Sequence, residues 1–71
     1  MTDLNLNPNQ MQMLEHLRGS SRSNPVNLGS VFSMRDDKNR SDRAGIGHGG
    51  YTDGNDQGEW LTEKGKKAIG L

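Results

Sequence analysis

Residues 58–70 read GEWLTEKGKKAIG, and this stretch changes periodicity partway along. Glu59, Trp60 and Leu61 have the aromatic and apolar character of a strand, and Thr62 ends it. Glu63 to Ile69 then have helical character, with Thr62 placed to cap them through its side-chain oxygen. Lys64, Lys66 and Lys67 lie toward the C-terminal half of that helix, where its dipole favours cations. A strand therefore runs directly into a closing helix over 63–69.

A strand ending at residue 62 needs a partner. From Gly45 to Gly58 there are six glycines in fourteen residues, including the dipeptide Asp53-Gly54. Asp-Gly is a favoured hairpin turn because both residues tolerate positive φ. Tyr51 and Thr52 precede it with strand character. The expectation is a short hairpin pairing 46–52 with 58–62, with Tyr51 and Trp60 facing each other across it.

Further upstream, LNPNQMQMLEHLRG carries a complete set of helix boundary signals. Asn7 serves as N-cap, Pro8 stands at N1 and Gln10 at N3, which is a capping box. Leu6 and Met11 occupy the positions of a hydrophobic staple. Met11, Met13, Leu14 and Leu17 make one broad apolar face, and Gly19 is a C′ residue. The helix is predicted over 8–18. NPVNLGSVFSMR repeats the Asn-Pro entry, with Leu28, Val31 and Phe32 at helical spacing and Met34 flanking. A second helix over 25–35 is predicted, weakened by Gly29 and the β-branched residues.

The segment DDKNRSDRAGIGHGG, residues 36–50, is harder to read. Ala44 is the only apolar residue between Met34 and Ile46, so a helix here has almost nothing to bury. A mobile loop and a short surface-lying helical turn over 37–44 both fit. We adopt the turn.

The totals bound the rest. Seventy-one residues make a single domain over 1–71, with 1–6 as a flexible start. A chain of this size buries only roughly 60% of its unfolded surface. The candidate core is Leu4, Leu6, Met11, Leu14, Leu17, Leu28, Val31, Phe32, Met34, Ile46, Tyr51, Trp60, Leu61, Ile69 and Leu71. With no cysteine there is no disulfide, thiolate metal site or cysteine nucleophile, so a homodimer or a protein partner is expected to add stability. No apolar run is long enough to span a bilayer and no signal segment opens the chain, which points to a cytoplasmic protein without membrane attachment.

The formal net charge of zero is unevenly spread. Residues 1–17 carry −2, 18–43 carry +3, 44–58 carry −2 and 59–71 carry +1. The basic middle falls well short of the overall basicity of a committed nucleic-acid binder.

Two helices, a polar basic segment, a Gly-rich hairpin and a closing helix give an α+β order. That order and the segment WLTEKGKKAI resemble the small winged helix-turn-helix domains of bacterial regulators, which leave the wing through an LTxKG segment. LNPNQMQMLEHL is similar to their opening helix, with its capped start and Leu-x-x-Leu face. The resemblance implies that Trp60 and Leu61 lie on the second wing strand and that helix 25–35 opens the helix-turn-helix. Residues 36–44 would then supply the recognition element. The sequence departs from the family there, since a recognition helix carries apolar residues on its inner side and only Ala44 is offered. The short length is similar to the stripped-down proteins that phages and mobile elements encode.

The candidate site follows from this. Arg35, Lys38, Arg40 and Arg43 are placed to neutralise phosphates of double-stranded DNA, with Asn39 or Arg40 reaching a base edge. The plainer account is a solvated segment in which Asp36, Asp37 and Asp42 pair with those cations. His48 touches DNA from the wing or is simply exposed. Lys64, Lys66 and Lys67 clamp the backbone or are a solvated helix end. GIGHGG has neither the preceding buried strand nor the following amphipathic helix of a phosphate loop. His16 and His48, with no spaced carboxylate partner, make a poor metal site, and no catalytic arrangement of side chains is evident. No cofactor is expected and the chain is read as non-enzymatic. Two functions remain open: a transcriptional or recombination accessory protein that binds DNA, and a small protein-binding module or inhibitor of a host protein on the same scaffold. Trp60 and Tyr51 cover the core in the first and form a binding hot spot in the second.

Overall fold

A computed structural model describes residues 6–71. The expectations for Leu4 and for most of the opening segment lie outside the described residues. Within them the fold is α+β: three helices and a two-stranded antiparallel hairpin.

Helix α1 spans Pro8–His16, and its start is the capping box expected. Asn7 Oδ1 accepts from the Gln10 amide at 2.8 Å, and Gln10 Oε1 accepts from the Asn7 amide at 3.1 Å. Met13, Leu14 and Leu17 turn inward and are fully buried. The helix closes at Leu17, with Gly19 in the left-handed region at φ 83°.

The predicted helix 25–35 does not form. Asn24 pairs its backbone with Ser21 in a tight turn, and Val26 is extended. Val26 and Glu59 exchange two backbone hydrogen bonds, each 2.8 Å long. Only Leu28–Ser30 coil into a single 3₁₀ turn, capped by Asn27 Oδ1 accepting from the Gly29 amide at 2.9 Å. Tertiary pairing at Val26 and the local Asn27 bond compete with a helix that Gly29 already weakens. Leu28 is buried and Phe32 packs against the core, whereas Val31 is 50% exposed, against expectation.

The chain beyond Met34 is more ordered than expected. Helix α2 spans Asp37–His48, not a turn over 37–44, and Asp36 caps it by accepting from the Lys38 amide at 2.9 Å. Its inner face holds Ile46, fully buried, and Asp42. Ala44, expected to face inward, is exposed.

Because α2 takes up residues 46–48, the hairpin starts later than predicted. Strand β1 is Thr52–Asn55 and β2 is Gly58–Leu61, paired from Thr52 opposite Leu61 to Asn55 opposite Gly58. Asp53-Gly54 lies within β1, and the turn falls at Asp56–Gln57, where Asn55 Oδ1 accepts from the Gln57 amide at 2.9 Å. Asp53, not Tyr51, faces Trp60. Gly58 has φ 154°, and a β-carbon there would sit 2.8 Å from the Val26 carbonyl, so glycine is what lets Val26 lie against β2.

Helix α3 spans Glu63–Ala68, close to the predicted range, with the Thr62 hydroxyl accepting from the Gly65 amide at 3.2 Å. Thr62 also donates its amide to Tyr51 O at 3.1 Å. A β-carbon on Gly65 would come within 2.0 Å of that same Tyr51 oxygen. The glycine of LTEKG is therefore the point at which α3 crosses the backbone entering β1.

Met13, Leu14, Leu17, Leu28, Ile46, Tyr51 and Leu61 form the core, with Leu6, Val26, Phe32, Ala68 and Ile69 packed around it. Met13 belongs to the apolar face of the first helix but not to the core as inferred from sequence. Leu71, which does belong to that inferred core, is 54% exposed.

Candidate functional site

Eight of the nine candidate residues lie on helices: Lys38, Asn39, Arg40, Arg43 and His48 on α2, and Lys64, Lys66 and Lys67 on α3. Of these lysines, Lys64 reaches back to the end of α2. Arg35 stands in the turn before α2 and is exposed.

What orients α2 is a polar contact with α1. Asp42 accepts from Asn9 Nδ2 at 2.7 Å and from Asn7 Nδ2 at 2.8 Å. These two amides, first Asn9 and then Asn7, hold the carboxyl below its ordinary value; burial opposes them and Lys38 assists. Lys38 Nζ is 3.5 Å from Asp42 Oδ2. Asn39 is drawn into the same contact, accepting from Asn9 at 2.9 Å and donating to Ser33 O at 3.0 Å. Asn39 therefore helps to position the helix.

The arginines divide by role. Arg43 pairs with Glu59 of β2 and ties α2 to the hairpin. Arg40 donates to Met34 O at 2.7 Å and pairs with Asp37, leaving half of its side chain in solvent. Exposed ion pairs of that kind contribute little and exchange readily. On α3, Lys64 donates to Gly49 O at 2.7 Å and lies 4.5 Å from the centre of the Tyr51 ring, so it caps the end of α2. Lys66 is 3.5 Å from Glu63, and Lys67 is exposed. Aromatic contacts bind two further sites: Arg22 lies 5.8 Å over Trp60, and His16 meets Phe32 edge-on at 5.2 Å.

Solvent is faced by Asp37, Arg40, Ser41, Ala44, Gly47 and His48, which fall along one side of α2. In the sequence, Ser41 and Ala44 fall within the segment 36–44 without being singled out as contacts, and Gly47 reads only as part of the Gly-rich stretch. The spacing of Asp42 and Ile46, with Asn39 and Arg43 beside them, marks the opposite side, and a search for apolar residues alone passes over it. Between this side of α2 and β1 runs an open groove of about 670 Å³, lined by Arg40, Arg43, Ala44, Gly47, His48, Thr52, Asp53, Gly54 and Glu59, with Met34 at one end.

No helix among the described residues is long and apolar enough to cross a membrane. No protein-family profile matches the chain, and comparisons with curated proteins and with solved structures find no match.

Proposed function

We propose that this is a small winged helix-turn-helix protein that binds double-stranded DNA, without catalysis, as a transcriptional or recombination accessory factor. The observation that supports it best is the exposed side of α2. It presents one guanidinium, at Arg40, among side chains no larger than serine at Ser41, Ala44 and Gly47. Small residues let a helix backbone approach base edges closely, and an arginine in that setting reaches a guanine. In this account the first helix of the helix-turn-helix has shrunk to the 3₁₀ turn at Leu28–Ser30, α2 is the recognition helix, and the β1–β2 hairpin is the wing. Arg35 and Lys38 flank the start of α2 and meet phosphates, and Arg43 and Asn39 hold the helix in place.

The test is fluorescence anisotropy of a labelled random duplex titrated with the protein at several salt concentrations. The expected result is micromolar binding that weakens steeply as salt rises, the mark of phosphate neutralisation. Absence of binding at low salt would sink the proposal.

A second function, a module that docks on a protein, has its own supporting observation. Lys38, Arg40, Arg43 and Lys66 each pair with a carboxylate of the chain, and the hairpin carries Asp53 and Asp56 with no cation. A surface of mixed sign suits a protein better than a phosphate backbone. Binding to duplex that is weak and indifferent to salt would favour this alternative.

A further inference from the structure

The groove between α2 and β1 has a free strand edge along one wall. Among the described residues, strand β2 is occupied on both sides, by β1 and by the bridge at Val26, whereas β1 has only β2 as neighbour. The hydrogen-bond alternation of an antiparallel pair shows which groups are open. Thr62 donates to Tyr51 O, so Tyr51 and Thr62 face each other as a bonded pair. Two residues along, Asp53 bonds with Trp60, and Thr52 and Gly54 direct their backbone groups to the outer edge. In keeping with this, the Gly54 amide donates to the neighbouring Asp53 Oδ1 at 2.8 Å, a local bond that an incoming carbonyl can replace.

The opposite wall is Ala44 and Gly47 of α2, whose small side chains leave the space open. A groove of about 670 Å³ alongside a four-residue strand has room for one extended segment of similar length. The polar groups of the groove are unevenly used. Arg43 is engaged by Glu59 Oε1, and Arg40 by Met34 O and Asp37. The other oxygen of Glu59, Oε2, is buried and has no donor among the described residues. A buried carboxylate oxygen in that state is costly and favours any occupant that brings an N–H donor. Both arginines of the lining are thus paired with carboxylates, whereas Asp53, also in the lining, meets no cation among the described residues.

We propose that this groove binds an extended, lysine- or arginine-bearing segment of a partner protein, which adds as a strand to the free edge of β1 and places its cation on Glu59 Oε2. Strand addition supplies main-chain bonds at Thr52 and Gly54, and the carboxylate selects the charge. A second copy of this chain is a poor occupant, because pairing β1 with β1 brings Asp53 and Asp56 of the two copies close together. The inference does not require DNA binding, but Arg40, Ala44, Gly47 and His48 line the groove and also belong to the side of α2 proposed to meet DNA, so the two occupants would exclude each other.

The test uses the isotope-labelled full chain and a capped hexapeptide of alternating valine and threonine with one central lysine. Binding is followed through the backbone amide signals. The expected result is saturable shifts centred on Thr52 to Asn55, loss of binding when alternate peptide amides are methylated, and affinity about tenfold weaker when the lysine is replaced by glutamate. Glu59→Gln should narrow that preference for lysine, while the methylated peptide probes strand pairing without any change to the protein. Absence of shifts at β1, equal binding of the methylated peptide, or no preference between lysine and glutamate overturns the proposal. So do shifts that leave β1 unmoved and cluster at Arg35, Lys38 and Ser41, which lie outside the groove lining.

Discussion

Asp42 illustrates how a single side chain can stand in for the apolar face a helix lacks. It takes hydrogen bonds from Asn9 and Asn7, and a charged acceptor makes those bonds stronger than neutral ones. Because its folded carboxyl is held below the unfolded value of about 3.9, the stability it contributes is present above that pH and is lost as pH falls through the lower folded value. Urea unfolding from pH 7 to pH 2.5 should show a midpoint that declines in the acid range. Asp42→Asn should be less stable at neutral pH by about 1–3 kcal/mol and decline less on acidification. A variant with the wild-type midpoint at both ends would contradict this role. Gly65 makes a similarly local prediction. Alanine gains about 1 kcal/mol in helix propensity over glycine, but its β-carbon would meet the Tyr51 carbonyl at 2.0 Å. Gly65→Ala should therefore lower stability, by about 2 kcal/mol or more, in thermal unfolding. Equal or higher stability would show that α3 can shift away from that crossing. The glycine of LTEKG was legible as a motif, while its reason, a backbone passing overhead, is a tertiary contact that no local pattern carries.

At the scale of elements, legibility followed the source of each element's stability. Helix α1 and helix α3 are specified by caps and by side chains within a few residues, Asn7 with Gln10 and Thr62 with Gly65, and both were readable. Helix α2 was underestimated because its partners are 30 or more residues away in sequence: Asn9 on Asn39, and Asn7 and Asn9 on Asp42. The helix expected over 25–35 failed for the converse reason, since Val26 pairs with Glu59 from the far end of the chain. The position of the hairpin then followed α2, shifting its turn from Asp53-Gly54 to Asp56–Gln57. Two predictions belong here. Asn7→Ala removes the cap of α1 and one donor to Asp42 together, so it should cost about 2 kcal/mol, more than an ordinary cap and measurable by urea unfolding. Arg40→Ala should weaken binding to duplex and reduce the salt slope by about one counterion, because its guanidinium is half exposed on the outer side of α2. Unchanged affinity and slope would remove Arg40 from the interface. Among the candidate site residues, type and neighbourhood were legible. Which cations were engaged was not: the pairing of Arg43 with Glu59 joins elements that only the folded chain brings together.

For the molecule as a whole, charge and shape have to be weighed together. The chain is neutral, and its acids are distributed so that several cations are paired within it. What remains for recognition is a side of α2 with small residues and one exchangeable arginine, flanked by Arg35 and Lys38. The groove between that side and β1 holds Glu59 Oε2, which has no donor among the described residues. The side of α2 proposed to meet DNA shares Arg40, Ala44, Gly47 and His48 with this groove, so the two proposed partners would compete for it. The measurement that bears most directly on the central claim is an amide-resolved titration of the protein with a 15-base-pair duplex at low salt, about 20 mM, repeated near 200 mM. The account predicts shifts clustered at Arg35, Lys38, Arg40, Ser41, Ala44 and His48 that fade at the higher salt. Shifts absent at low salt, or confined to α1 and the far side of the hairpin, would contradict it.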